Sequence, residues 1–244
     1  MIITPRIFNP KKVIAAQSTR LGGVSIAPYS SMNLGLSVND NELHVNTNRA
    51  LFFNSLGIDV NTLSLSTQIH GNEILLAAQA GQHAGYDAQI CGEKNIFIAV
   101  SIADCTPILI HDEKENVVAA IHAGWKGTVA NIVENTFLKM KDSFGSKGEN
   151  CKAFIGACIS KNQFEVNEDV ATHFSENLKR YDADKHKFFV DLKVANAEQL
   201  IRNNIPVKNI EISDYCTVEN NDLFFSHRKE NGRTGRMMAV IGLK

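Results

Sequence analysis

The apolar run NVVAA (Asn116–Ala120) leads into IHAGWKG (Ile121–Gly127), so a strand suited to a buried sheet ends on an imidazole. Two other stretches do something similar: STQIHGNEI carries His70, and VSIADCTPILI carries Cys105. Each of the three residues stands at or near the end of an apolar strand pattern, with a glycine or proline close behind it. Their separations fit no zinc-finger spacing, so any meeting must come from strand ends converging in a sheet. Two imidazoles and a thiolate form a good zinc set. Three protein ligands leave the fourth tetrahedral position open, as in a catalytic rather than a structural site. A dication held there acts as a Lewis acid and lowers the pKa of a coordinated water to roughly 7. Gly71, Gly124 and Gly127 let backbone and substrate approach closely, and Asp104 is a candidate to orient a ligand from behind. Taken singly, each residue has a plainer role: a cysteine as a small hydrophobe, a hydrogen-bonded histidine, Trp125 as packing. The repeated pattern is what favours a metal.

A second constellation is LFFSHRKENGRTGRMMAVIGL, where Arg228, Lys229, Arg233 and Arg236 alternate with Gly232 and Gly235. Arginine presents a planar fork to phosphate or carboxylate, so this stretch reads either as an anion site or as a solvated hairpin turn. Arg20 in STRLGG and Arg49 in NTNRALF are further candidates for anion contacts. No Walker or Rossmann pattern is present, so a phosphate would be bound as a free ion or as part of a small substrate.

These residues need a scaffold, and 244 residues that are 44% hydrophobic supply one. The formal net charge of −1 suggests no basic face for nucleic acid or an acidic membrane. MIITPRIFNPKK lacks the apolar core of a signal peptide. The apolar tract Ile96–Ile110 is interrupted by Asp104 and too short to span a bilayer. Five widely spaced cysteines with no CxxC pair read as reduced thiols, so the expectation is a cytoplasmic protein. No repeat or linker divides the chain, and residues 1–244 read as one domain. Periodicity predicts helices over Asn46–Leu56, Thr128–Met140 (capped by Thr128), Asn167–Leu178 and Asp191–Arg202 (capped by Asp191). It predicts strands over Leu63–Gln68, Glu73–Ala77, Ile96–Ile102, Ile108–His111, Val117–Ile121, Lys152–Ile155 and Met237–Leu243. Strands cluster and helices intervene irregularly, which is an α+β pattern with mixed sheets rather than a doubly wound fold.

The motifs STRLGGVS, SSMNLGL, TQIHG, ADCTPILIHD, AAIHAGWKGTV, IGACIS…FEV, DLKVANAEQL and FFSHRKENGRTGRMM run in order over nearly the whole chain. Together they resemble the multicopper polyphenol oxidase or laccase-domain proteins, whose bacterial members are described as purine nucleoside phosphorylases. The resemblance implies a layered α/β/β/α domain and a zinc set on His70, Cys105 and His122. It also implies phosphorolysis of adenosine, inosine, guanosine and methylthioadenosine, and deamination of adenosine. The chain departs from the family pattern at Lys126, where arginine is usual, at Asn39-Asp40, and at Gly156-Ala157-Cys158. Lysine keeps the charge at 126 but loses the bidentate fork.

On this reading the expected partners are purine nucleosides and phosphate, and the expected state is a monomer. For deamination, an activated water attacks C6 of the purine while Asp104 is the candidate proton shuttle. For phosphorolysis, Arg49 and Arg228 are the candidates to hold the anion, with Arg20, Lys126 and His227 as further phosphate or substrate contacts. Three rival readings use the same residues. A copper-dependent polyphenol oxidase could take Cu2+ on the two histidines and the cysteine, although the eight histidines include no His-x-His pair. A cysteine hydrolase, such as an enzyme editing peptidoglycan precursors, would use Cys105 as nucleophile with His122 or His70 as base. A non-enzymatic protein with a structural zinc would need a fourth ligand, for which His227 is the candidate.

Overall fold

The computed structural model describes residues 2–244. In chain order its elements are β1 (Ile2–Ile3), β2 (Val13–Ser18), α1 (Glu42–Ser55), β3 (Leu63–Thr67), β4 (Ile74–Leu76), β5 (Gly81–Ala84), β6 (Ala88–Cys91) and β7 (Phe97–Ile102). There follow β8 (Thr106–Asp112), β9 (Val117–Ala123), α2 (Trp125–Val129), α3 (Ile132–Phe144), β10 (Cys151–Ile155), β11 (Glu165–Val166) and α4 (Glu168–Ala171). The chain ends with β12 (Lys179–Asp182), β13 (Lys187–Val190), α5 (Leu192–Arg202), β14 (Ile210–Ile212) and β15 (Met237–Leu243). One sheet has the order β1-β2-β15-β7-β3-β5, a second β14-β10-β8-β9-β6-β4, and a small third sheet β11-β13-β12. Both large sheets are mixed: β3 pairs parallel to β5 and β7, while β15 pairs antiparallel to β2 and β7.

Alternation along the strands builds the layers. In β9, Val118 and Ala120 face the first sheet and meet Val100 of β7 and Ala239 and Ile241 of β15. Val117, Ala119 and Ile121 face the other way, onto Ile132, Val133, Phe137 and Met140 of α3 and Leu200 of α5. The outer face of the first sheet, through Leu63, Leu65, Ala99 and Val240, is covered by Phe52 and Phe53 of α1. The result is helix, sheet, sheet, helices, the α+β arrangement with mixed sheets expected from the sequence. Phe53 is fully buried under α1, so Phe53→Ala should cost about 3–5 kcal/mol. A lowered denaturant midpoint with an unchanged slope would report that loss.

Several predicted boundaries move for identifiable reasons. Helix α1 begins at Glu42 rather than Asn46 because the Asn41 side chain accepts from the Leu43 N–H and caps it. The predicted helix 128–140 is two helices broken at Asn131, whose φ of 56° is left-handed. Thr128 is no cap; it is buried inside α2, and its hydroxyl pairs with Asn196 of α5. The predicted helix 167–178 is one turn, α4, followed by a short 3-10 turn, because Phe174 and Leu178 turn inward to pack with Phe164 and Val190. Asp191 caps α5 as expected, accepting from the Val194 N–H.

Asn48 of α1 fixes the turn-rich segment ahead of it. Fully buried, its side-chain amide bonds Ser25 Oγ and the carbonyls of Ser31 and Asn33, while its oxygen accepts from the Val24 N–H. That ties residues 24–33 to the helix and positions Gly35, Leu36 and Ser37 as one wall of the cavity described next.

Candidate metal centre and its cavity

The antiparallel register of β8 and β9 sets the first two candidate ligands. Thr106 pairs with Ala123 and Pro107 with His122, so Cys105, one residue ahead of β8, comes beside His122. His70 follows β3 in a loop. The ligand atoms of His70, Cys105 and His122 all lie within 4.8 Å of one another. The two imidazole rings meet edge to face with centroids 4.8 Å apart. Gly124 leaves the ligands room: a Cβ there would sit 3.1 Å from Cys105 Sγ and 3.2 Å from His70 Cδ2, so both side chains would have to give by a few tenths of an ångström.

A fully buried aspartate, Asp87, holds this arrangement. One carboxylate oxygen meets His122 Nδ1 at 2.8 Å and accepts from the His70 N–H at 3.0 Å. The other accepts from the N–H groups of Ile69 and Gly71 at 3.1 and 2.7 Å. With Nδ1 engaged, His122 presents Nε2 to the cluster, the usual arrangement behind a metal-bound histidine. His70 has φ 59° and Asp104 φ 85°, conformations that cost of order 1–3 kcal/mol outside glycine and persist where surroundings impose them. Asp87 imposes one. The other follows from Asp104 itself, whose carboxylate accepts from Thr217 Oγ1 at 2.6 Å and the Arg228 N–H at 2.7 Å. The ligand-orienting carboxylate is therefore Asp87, not Asp104 as the sequence suggested; Asp104 ties the C-terminal loop to the turn before Cys105.

The electrostatics follow from this packing. Burial works against both charged forms, yet Cys105 is pulled down to about 6 by attraction to and hydrogen bonding with His122, helped by His70. His122 is pushed up to about 9 by Cys105 and Asp87. Without metal, each group favours the charged form of the other, so the packing favours a thiolate beside an imidazolium. The Cys105 contribution to stability is present above its unfolded pKa and lost as pH falls through about 6. The His122 contribution is present below its unfolded pKa and lost as pH rises through about 9. In metal-free protein, iodoacetamide should therefore alkylate Cys105 with a midpoint near pH 6. The other cysteines are buried and leave the signal clean. A midpoint near the ordinary thiol value of about 8.5 would show that His122 does not hold the thiolate.

The cluster opens into a cavity of about 640 Å³, within the range of small-molecule sites, about 300–1,000 Å³. Arg49, Asp104, His227 and Arg228 line it, as do Trp125, Phe164 and Arg236. Arg20 and Lys126 do not. The Arg20 guanidinium pairs with Glu230 at 3.0 Å, donates to Ser30 and Asn221 carbonyls, and covers the Phe225 ring. Lys126 is exposed and lies near the Trp125 ring. Asp87 had a faint signal in sequence, a lone aspartate entering the apolar run AQIC. Arg236 was visible only as one charge among several.

A model of the family described as multi-copper polyphenol oxidoreductase laccase matches residues 14–244. The chain belongs to this family. A purine nucleoside phosphorylase, YlmD, of Bacillus subtilis (strain 168) is 33% identical over 97% of this chain and 90% of its own. A purine nucleoside phosphorylase, YfiH, of Shigella flexneri is 36% identical over 99% and 98%. Among solved structures, YlmD from Geobacillus stearothermophilus superposes with a TM-score of 0.92 at 28% identity, covering 97% of this chain and 94% of that one. The hypothetical protein YfiH of Bacillus licheniformis gives 0.91 at 30%, covering 98% of each. Despite the family's multi-copper description, His70, Cys105 and His122 form the only group of three or more metal-ligating side chains among the described residues of this laccase-family chain. Among the described residues, no helix is long and apolar enough to cross a membrane.

Proposed function

We propose that this chain is a zinc-dependent purine nucleoside phosphorylase acting on adenosine, inosine, guanosine and methylthioadenosine, with a second activity as an adenosine deaminase. One observation carries the reading: the His70, Cys105 and His122 cluster faces a nucleoside-sized cavity that also contains arginines, in a chain whose relatives are named for that reaction. The donor set fits zinc, since two imidazoles and a thiolate are its usual ligands and Asp87 prepares His122 to offer Nε2. When bound, zinc supplies Lewis acidity and positive charge at that wall.

The residues of the chain supply the rest. Phosphorolysis forms a bond from a phosphate oxygen to C1′ and breaks the bond from C1′ to the purine nitrogen. The electron pair leaves with the base, which takes up the proton that phosphate gives up. Trp125, Ile159, Phe164 and Leu192 are among the apolar residues of the lining and are suited to the purine face, and Trp125 is braced by stacking on His173 at 6.3 Å. His227 lines the cavity on the exposed C-terminal loop and is proposed to contact the substrate. Arg228 fixes that loop to residues 163–165 through the Gln163 and Glu165 carbonyls. A single domain over residues 1–244, working in the cytoplasm as a monomer, is sufficient for this scheme.

The test is to supply zinc-loaded protein with each nucleoside and phosphate, and to measure free base and ribose-1-phosphate; ammonia released from adenosine without phosphate reports the deaminase. No turnover of any nucleoside would overturn the proposal. A cysteine-hydrolase reading is favoured by one observation, the Cys105, His122 and Asp87 series with its lowered thiol pKa. Stoichiometric alkylation of Cys105 in zinc-loaded protein would support that reading over this one, because a metal-held thiolate is protected.

A further inference from the structure

Two arginines in the cavity carry a feature that the proposed reaction needs and that the metal cluster does not provide. Among the described residues, neither Arg49 nor Arg236 has a carboxylate within ion-pairing distance, whereas Arg20 is paired with Glu230 and Arg202 with Glu134. Both are half-buried, and both line the cavity that contains His70, Cys105 and His122.

The same short segment anchors both. Arg49 Nε donates to the Leu34 carbonyl at 2.8 Å. The Arg236 N–H donates to Asn33 Oδ1 at 2.8 Å, and its carbonyl accepts from the Leu34 N–H. The Arg236 stem lies so close over Gly35 that a Cβ there would fall 2.6 Å from Arg236 Cγ. One face of each fork is thereby fixed: Arg49 through Nε, and Arg236 through Nη1 to the Thr234 and Gly235 carbonyls. Both Nη atoms of Arg49, and Nε and Nη2 of Arg236, keep no protein partner among the described residues. Arg228, by contrast, spends its Nη atoms on carbonyls and lies over Phe164.

We propose that Arg49 and Arg236, held by Asn33–Gly35, form a two-armed subsite for inorganic phosphate beside the metal-ligand wall. The proposal rests on the phosphorylase reading for the identity of the anion, and it assigns the phosphate grip to Arg236 in place of Arg228. Two forks with fixed stems match the several oxygens of a phosphate, and an arriving dianion relieves the partial desolvation of two unpaired cations. Burial lowers the pKa of both guanidinium groups, in keeping with that desolvation.

The test uses the full-length zinc-loaded protein and inorganic phosphate alone as the probe, by equilibrium dialysis, with Arg49→Met, Arg236→Met and Arg236→Lys. The methionine variants keep the stems, and lysine keeps the charge without the fork. Phosphate affinity should fall about tenfold or more in both methionine variants and less in Arg236→Lys. Zinc content should stay unchanged. In turnover, the KM for phosphate should rise in step while the KM for nucleoside stays within about twofold. Wild-type protein that binds no phosphate, or folded methionine variants with wild-type phosphate affinity, would overturn the subsite. If Arg236→Met melts early, Arg236→Lys decides: wild-type phosphate affinity there overturns the fork, and a deficit supports it. Phosphate binding lost in the variants, with no phosphorolysis by the wild type, would uphold the subsite and sink the phosphorylase reading. Phosphorolysis with an unaltered phosphate KM in both methionine variants would do the reverse.

Discussion

Replacing Cys105 by alanine is expected to remove the metal and nucleoside turnover together. Cys105 supplies the only thiolate within 4.8 Å of His70 and His122 among the described residues, and two imidazoles alone make a much weaker zinc site. Removing an outer partner of a zinc ligand costs about 10- to 100-fold in affinity, so losing a ligand itself should cost at least about a hundredfold. The fold should survive, because Cys105 lies at the margin of the cavity and half-exposed. Zinc content by mass spectrometry and base release by chromatography, on the same preparation, check this. Turnover retained without zinc would mean that the cluster is not where the chemistry happens. Zinc retained without turnover would return Cys105 to the role of nucleophile.

The second large effect is expected at Asp87. Its carboxylate receives three backbone N–H groups and the His122 ring in a site with no solvent exposure. Alanine there takes the shared acceptor from those partly buried donors and strips the buried His122 of its partner. Breaking a buried charged pair in this way costs about 3–5 kcal/mol. At about 2–4 °C per kcal/mol for a chain of this size, that is a drop in Tm on the order of 10 °C. Zinc affinity should fall about 10- to 100-fold besides, because nothing then fixes the tautomer of His122 or the loop carrying His70. The contribution also has a pH signature. Burial would raise the Asp87 pKa, but the His122 and backbone hydrogen bonds outweigh it and hold the carboxyl below the ordinary value. Its stabilisation is therefore present above the unfolded pKa of about 3.9 and lost as pH falls through the lower folded value. Asp87→Asn separates shape from charge. If it bound zinc like the wild type, the carboxylate would not be what prepares His122.

The legible and illegible parts of this molecule divide by the range of the interaction. His70, Cys105 and His122 were visible because each interrupts an apolar strand pattern, a local signal that survives without coordinates. The strand β15 and the cap at Asp191 were visible for the same reason. Asp87 left only a faint trace, because an aspartate after Gly-Tyr reads as a turn residue; its partners lie 16 to 35 positions away. Arg20 looked like an anion site because its neutraliser, Glu230, lies at the other end of the chain. Arg236 was hidden for the converse reason: what marks it is the lack of a carboxylate, which only packing reveals. The break at Asn131 and the inward turn of Phe174 are likewise tertiary effects overriding helical periodicity.

The most direct measurement is anomalous diffraction at the zinc edge from crystals of protein purified without added metal. The expected result is one peak per chain, within bonding distance of His70, Cys105 Sγ and His122 Nε2, and open toward the cavity bordered by Arg49 and Arg236. A peak elsewhere, or one closed by a fourth protein ligand, would contradict the account.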